Sequence, residues 1–348
     1  MNSQQNPPAA VIGDALAGRT TCDLVAEYGR LFPALVSWGL LLAAVVVLPG
    51  MVGSYWSFVL AQSAVTATIL LSLTLLTGMA GQVSLAQSAF AGAGAYTCAR
   101  LGLAFHLSLW EALPGAIVVG FLLGVVVGLP ALRLSGIYLA ISTFGMAVVA
   151  ERLVFQLPLL GGLGGLALQR PRAPIDLTSN IAFSRFCLAF LAVLLFFLWR
   201  LRETRTGWWL TAIRDDERAA TVAGVDVPVH KLLAFGYAGS VAAVAGGLGG
   251  YLSLHVNPQD FSAFNSIVYL SLLVVVGSDS LIGAVFGGLL YILVPQAATA
   301  VDNRLSGVLL LALPMLLMVA LSFRRPGPRR SVRARFMSLV QRLQDAPR

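Results

Sequence analysis

From Leu31 to Ala99 the sequence contains no Asp, Glu, Lys or Arg, an uncharged stretch of 69 residues. Charged residues make up 11% of the whole chain, against about a quarter in an ordinary soluble domain. A water-facing surface does not tolerate so long an uncharged stretch, whereas several successive membrane spans require one. The sequence therefore predicts an all-α, polytopic membrane protein.

A helix needs about 20 mainly apolar residues to cross the hydrocarbon core of a bilayer. By this criterion we predict about ten crossings. Three of them are short or rich in Gly and Ser, and these could be re-entrant or discontinuous: residues 85–103, 264–278 and 281–295. The other seven are residues 32–49, 53–77, 108–130, 136–157, 181–201, 232–254 and 305–323.

The charge pattern predicts the organisation and orientation of the chain. With ten crossings both termini lie on one side, and that side carries 17 of the 23 basic residues, which predicts a multi-pass protein with both termini in the cytoplasm. The same pattern favours contact with membrane lipid over nucleic acid, despite a net charge of +8. The predicted parts are a cytoplasmic segment at 1–31, a transmembrane domain at 32–323 with a charged loop at 202–231, and a basic amphipathic cytoplasmic tail at 324–348.

The sequence offers few candidates for catalytic or metal-binding residues. The three cysteines and three histidines are far apart and show no metal-ligand spacing. The only lysine, Lys231, follows His230 and so does not complete a Walker-type phosphate loop. We therefore expect no catalytic residues, no metal site, no cofactor and no ATP hydrolysis by this chain itself.

Small residues recur four positions apart at Gly120, Gly124 and Gly128 and again at Gly239 and Ala243. In lipid such stripes allow two helix backbones to approach closely. We expect them to pack within this subunit, with a subunit interface as the alternative.

Four glycines between residues 78 and 94 make a continuous helix costly, and neighbouring polar side chains can bond the backbone groups that a break would free. A half-helix beginning near Ser84 would then favour a carboxylate at its N-terminus. A polar contact between helices is an equally good interpretation. The candidate pathway residues are Gln82, Ser84, Gln87, Tyr138, Ser142 and Thr143.

Three charged residues fall in or beside predicted spans. Glu151 and Arg152 lie near the outer end of the fifth crossing, where they could be functional or could simply reach the headgroups. Asp279 lies in the turn between the eighth and ninth crossings, where we expect it to cap a helix.

The charged loop contains a compact block of candidate residues. We predict a short helix over 217–224 that ends at a glycine. A solvated loop with one helical turn is the alternative. The block comprises Arg214, Asp215, Asp216, Glu217, Ala219, Ala220 and Gly224.

Glu217, Ala219 and Ala220, with Gly224 seven residues after the glutamate, resemble the coupling-helix signature of ABC importer permeases. The stretch from Lys231, KLLAFGYAGSVAAVAGGLGGYL, more narrowly resembles the second, M-type permease of the high-affinity branched-chain amino acid importers. Three further stretches agree with that family, and together they cover residues from about 60 to 320: 78–97, 132–145 and 274–288.

The resemblance implies an ABC importer permease fold in the bacterial inner membrane. It implies that the block from Arg214 to Gly224 couples to the ATPase, that two cytoplasmic ATPase subunits bind the ATP, and that a homologous permease subunit and a periplasmic binding protein complete the importer. The substrates would be branched-chain or related amino acids.

The sequence departs from the family pattern at several positions. It has Asp279 where the family has Gly, Ala284 where it has Pro, and Val148 where an acidic residue is expected. These departures bear on the substrate more than on the class. A urea or short-amide importer is therefore the alternative within the class, a secondary transporter that uses Glu151 is less favoured, and a membrane enzyme comes third.

Overall fold

The computed structural model describes residues 49–50, 53–160, 162–171 and 176–301. The predicted crossings at 32–49 and 305–323, the domain boundaries near residues 31 and 323, and the basic tail lie outside the described residues.

The described part of the chain is built almost entirely of helices. Helix α1, Ser54–Leu73, continues as a π-helical segment, Thr74–Met79, and α4, Ile137–Val149, likewise continues through Ala150–Val154. The remaining helices are α2 (Gln87–Phe105), α3 (Leu109–Gly128), α5 (Asn180–Glu203), α6 (Arg205–Asp215), α7 (Glu217–Val222), α8 (Val227–Ser253), α9 (Ala263–Val276) and α10 (Leu281–Val301).

Within the described residues, five helical segments are long and apolar enough to cross a membrane: Ser54–Met79, Leu109–Leu132, Ile137–Val154, Asn180–Glu203 and Val227–Ser253. They coincide with five of the predicted crossings. Helices α2, α9 and α10 occupy the three stretches predicted as short or discontinuous, and α9 is indeed short, with 14 residues. The predicted all-α, polytopic fold is confirmed.

Helix α8 lies at the centre of the bundle, packed against α1, α2 and α3. The small residues explain how closely it packs. A Cβ atom added at Gly94 would collide with the backbone of Ala243, and one at Gly124 would collide with the carbonyl of Phe235. The predicted glycine stripes therefore pack inside this subunit, because backbone contact replaces the weak hydrophobic drive between helices in lipid.

One end of the bundle is closed by a short sheet and an arginine. Strand β1, Leu166–Ala167, pairs antiparallel with β2, His255–Val256. The Arg170 guanidinium donates to the carbonyl oxygens of Tyr251 and Leu252 at 3.2 and 2.8 Å. These carbonyls lie in the last turn of α8, where intrahelical partners are missing, so Arg170 caps the negative end of α8.

Two glycines of α8 test the importance of backbone packing. A Cβ at Gly246 would collide with the backbone of Ala91, whereas one at Gly249 would make an ordinary 3.4 Å contact with Val65. We expect Gly246→Ala to force α8 away from α2 and to lower the free energy of unfolding by about 1–3 kcal/mol. Gly249→Ala is the matched control and should leave it unchanged. Thermal unfolding of the purified protein in detergent measures both, and equal melting temperatures would contradict this packing.

Candidate functional site

The break between α1 and α2 is the main irregularity in the bundle. Residues 81–86 are not helical, and Gly81 has a positive φ of 67°. Helix α2 begins at Gln87, three residues later than the predicted start near Ser84. It then runs unbroken through Gly92 and Gly94, because these glycines accommodate the Phe155 ring and the backbone of α8.

Side-chain hydroxyls satisfy the backbone groups that the break frees. The Leu85 N–H donates to Thr143 Oγ1 of α4 at 3.0 Å, and the Ser88 N–H donates to Ser266 Oγ of α9 at 3.0 Å. The Ala86 N–H donates to Ser84 Oγ at 3.3 Å. An unbonded N–H buried in the membrane costs several kcal/mol, so these contacts allow the break to exist.

Gln87 is fully buried at the start of α2. Its Oε1 accepts a hydrogen bond of 2.8 Å from the Ser72 hydroxyl of α1, but its Nε2 has no hydrogen-bond partner among the described residues. The amide therefore has unused donor capacity beside the positive N-terminal end of α2.

The six candidate pathway residues fall into two groups. Ser84, Gln87 and Thr143 are fully buried and belong to the hydrogen-bonded break. Gln82 and Ser142 are half-buried, and the Tyr138 side chain is 71% exposed on the surface of α4. The structure thus brings the first group together and leaves the second accessible.

Two residues of this polar cluster were missed by the sequence analysis. Ser72 bonds Gln87, and the Ser266 hydroxyl lies 2.7 Å from that of Ser88 across 178 residues of sequence. A lone serine in an apolar helix carries no local signal of its partner, so only the fold could identify these two.

Glu151 holds the start of α9. Its Oε2 accepts from the Ala263 N–H at 2.7 Å and from the Ser262 hydroxyl at 3.2 Å. A carboxylate at a helix N-terminus satisfies a free N–H and the helix dipole. Arg152 lies 3.7 Å from Glu151 and is largely exposed. Glu151 therefore has a positional role at the same end of the bundle as β1 and β2.

The opposite end carries the charged segment formed by α6 and α7, residues 205–222. The Asp216 carboxylate caps α7 by accepting from the N–H groups of Arg218 and Ala219 at 3.0 and 3.1 Å. Helix α7 ends at Val222, and Gly224 has a positive φ of 84°. The short helix ending at a glycine is therefore present as predicted.

The two alanines of α7 face opposite ways. Ala220 packs in a small apolar cluster with Ile213 and Val227, whereas Ala219 is exposed. Ala220 therefore packs inside the chain, and of the two alanines only Ala219 is accessible at the surface. Val222, 90% exposed, lies on the open side of α7 instead.

Two ion pairs tie the α6–α7 segment to the helices of the bundle. The Lys231 ammonium of α8 lies 2.8 Å from both carboxylate oxygens of Glu217. The Arg214 guanidinium donates to Asp279 Oδ1 at 2.7 Å and to the carbonyl oxygen of Gly78.

Asp279 does not cap a helix, contrary to the sequence prediction. The Ser280 hydroxyl accepts from the Gly283 N–H at 2.9 Å and serves that purpose, so the Asp279 carboxylate is available to Arg214. Among the described residues, no group of three or more His, Cys, Asp and Glu side chains could hold a metal ion.

The bundle, its polar break and the charged segment at one end define a multi-span membrane protein of the permease class. Residues 55–320 match the family of the branched-chain amino acid transport system permease component, and the chain belongs to this family. The resemblance inferred from the motifs is thereby confirmed.

Two curated relatives support the family assignment. Both are the high-affinity branched-chain amino acid transport system permease protein LivM, one from Salmonella typhimurium and one from Escherichia coli. Each is 27% identical over 299 residues, which cover 76% of this chain and 70% of the relative. No solved structure matches the chain significantly.

Proposed function

We propose that this chain is the membrane-spanning subunit of an ABC importer that moves branched-chain or related amino acids into the cell. The observation that carries the proposal is the family match over residues 55–320, which includes both the polar break and the α6–α7 segment. Both relatives are named for high-affinity branched-chain amino acid transport.

In this proposal the energy comes from two cytoplasmic ATPase subunits, and α7 is the helix that docks on them. Its exposed residues, among them Arg218, Ala219 and Val222, supply the contact surface. The acidic residues have separate tasks, since Asp216 caps α7 and Glu217 ties it to Lys231. Because α7 is anchored at its first turn, movement of a bound ATPase subunit would displace the attached helices of the bundle and not α7 alone.

We place the substrate pathway along α4, between this chain and a homologous permease subunit. The span Ile137–Val154 is only 17% buried, yet its mean hydropathy is 1.6. The spans of α3 and α5 are more buried, at 39%, and more apolar, at 2.4 and 2.5. A largely exposed helix of lower hydropathy fits a protein or water-facing surface better than lipid, and Tyr138 and Ser142 lie on it.

The remaining partners follow from the same proposal. A periplasmic binding protein delivers the substrate, and the chain resides in the bacterial inner membrane with both termini in the cytoplasm. The orientation rests on the distribution of basic residues, which places the α6–α7 segment on the cytoplasmic side.

The pathway proposal predicts that substitutions of accessible polar residues lower uptake, whereas substitutions of buried polar residues lower stability. We expect Gln82→Leu and Ser142→Ala to lower uptake of radiolabelled leucine, valine or isoleucine without changing thermal stability, because both side chains are accessible.

Thr143→Val removes the acceptor of the Leu85 N–H and should lower the free energy of unfolding by about 1–3 kcal/mol. Thr143→Ser keeps the hydroxyl and is its control.

Unchanged uptake in both accessible variants would remove these residues from the pathway. Uptake of urea in preference to leucine by the wild-type complex would favour the short-amide alternative.

The docking proposal is tested at Gly224. A Cβ there meets no atom of the described residues within 4 Å, so among them a side chain would disturb only the positive-φ backbone, and beyond them a bound partner. We expect Gly224→Asp to lower ATPase co-elution or to abolish uptake. Gly162→Asp is the matched control for ATPase co-elution, since Gly162 also has a positive φ and meets only the Gln156 carbonyl oxygen, at 3.9 Å, but lies in the loop before β1. Wild-type co-elution and uptake in Gly224→Asp would contradict the assignment.

The orientation is tested with reporter fusions. Fusions after Asp226 and after Arg333 should report the cytoplasm, and a fusion after Arg172 should report the periplasm, because this arrangement keeps most basic residues inside. A cytoplasmic signal at Arg172 would be incompatible with ten crossings.

A further inference from the structure

Arg214 lies where three segments of the chain meet. It sits at the end of α6, its guanidinium bonds the carbonyl of Gly78 at the end of the α1 π segment, and it pairs with Asp279 in the α9–α10 turn at 2.7 Å. Its aliphatic stem covers Gly81, where an added Cβ would collide with Arg214 Cγ. One side chain therefore contacts the beginning of the polar break and the α9–α10 turn together.

The two segments that Arg214 joins are also in direct contact. A Cβ added at Gly78 would collide with the backbone carbonyl of Ser278, so the end of α1 packs against the α9–α10 turn. At the other end of the break, Ser266 of α9 bonds the backbone of Ser88. Helix α9 and the turn after it thus contact the break at both of its ends, at Ser88 and at Gly78.

The α9–α10 turn has room to move. A cleft of about 740 Å³ lies beside it, lined by Trp199, Arg202, Val274 and residues 277–282. Gly277 has a positive φ of 106°, and a Cβ there would meet no atom within 4 Å in the part of the chain that the structure describes. The turn is therefore packed against Gly78 and Arg214 on one side and open on the other.

The second ion pair of the α6–α7 segment, Lys231–Glu217, connects it to a different part of the bundle. Lys231 ties Glu217 to α8, so this contact anchors the α6–α7 segment to the helix at the centre of the bundle. Arg214 instead contacts the end of the α1 π segment and the α9–α10 turn. Helices α6 and α7 pack on each other, because Ile213 and Ala220 share one apolar cluster.

We propose that Arg214, with Asp279 as its ion-pair partner, is the positioning residue that carries movement of the α6–α7 segment to the polar break and the α9–α10 turn. The proposal rests on the proposed function, in which α7 receives that movement from an ATPase subunit.

A double-mutant cycle in the reconstituted importer tests the proposal. The variants are Arg214→Gln, Asp279→Asn and the two combined, each purified with its ATPases and assayed for ATPase co-elution, ATP hydrolysis and substrate uptake. We expect each single variant to lower uptake per ATP hydrolysed by about two- to five-fold, as for the loss of a partly exposed ion pair. Co-elution and melting temperature should stay at wild-type values.

The combined variant decides whether the two residues act as a pair. If they do, the combined variant loses as much uptake per ATP as the more severe single variant, because the ion pair can be broken only once. Arg200→Gln is the matched control, since Arg200 pairs with Glu203 at 3.0 Å on the surface of α5 without joining segments, and it should keep wild-type uptake per ATP.

Several results would overturn the proposal. These are unchanged uptake per ATP in both single variants, losses that multiply in the combined variant, a fall in melting temperature that parallels the fall in uptake, or loss of ATPase co-elution in Arg214→Gln alone. Failure of the proposed function is distinguishable, because the wild-type chain itself would then neither retain ATPase subunits nor support uptake.

Discussion

Inside a bilayer every backbone N–H and C=O must find a partner within the protein, and the polar break between α1 and α2 is where this requirement shapes the rest of the structure. Thr143 of α4 and Ser266 of α9 supply acceptors for the N–H groups that the break frees. Because the two hydroxyls belong to different helices, the break fixes the relative positions of α2, α4 and α9. A change in any one of them requires an exchange of hydrogen bonds in the others.

The glycine contacts around α8 provide the complementary rigid part. Backbone-to-backbone approach leaves no side chain that could repack, so α2, α3 and α8 form a closely packed block. Several elements outside this block have π segments, short helices or positive-φ glycines: the end of α1, α4, the α9–α10 turn and the α6–α7 segment. Motion during transport is expected to concentrate there.

Local sequence signals predicted the local structure well. The apolar spans, the glycine stripes, the break after Gly81 and the short helix before Gly224 depend on residues close in sequence, and each is present. What failed depended on distant partners. Asp279 was assigned to a helix cap because Arg214, 65 residues earlier, gave no sign of reaching it. Ala219 and Ala220 are identical in type, and only the cluster around Ile213 decides which of them is buried.

The burial of Lys231 gives the molecule a chemical property of its own. It is the only lysine in the chain, its side chain is 5% exposed, and its ammonium is held by both oxygens of Glu217. A buried amine whose donors are taken up by a carboxylate is inaccessible to reagents, so amine-directed acylating reagents should leave this side chain unmodified while α7 is seated. Acylation of Lys231 would therefore mark the moment when α7 separates from α8, which makes the side chain an internal indicator of that contact.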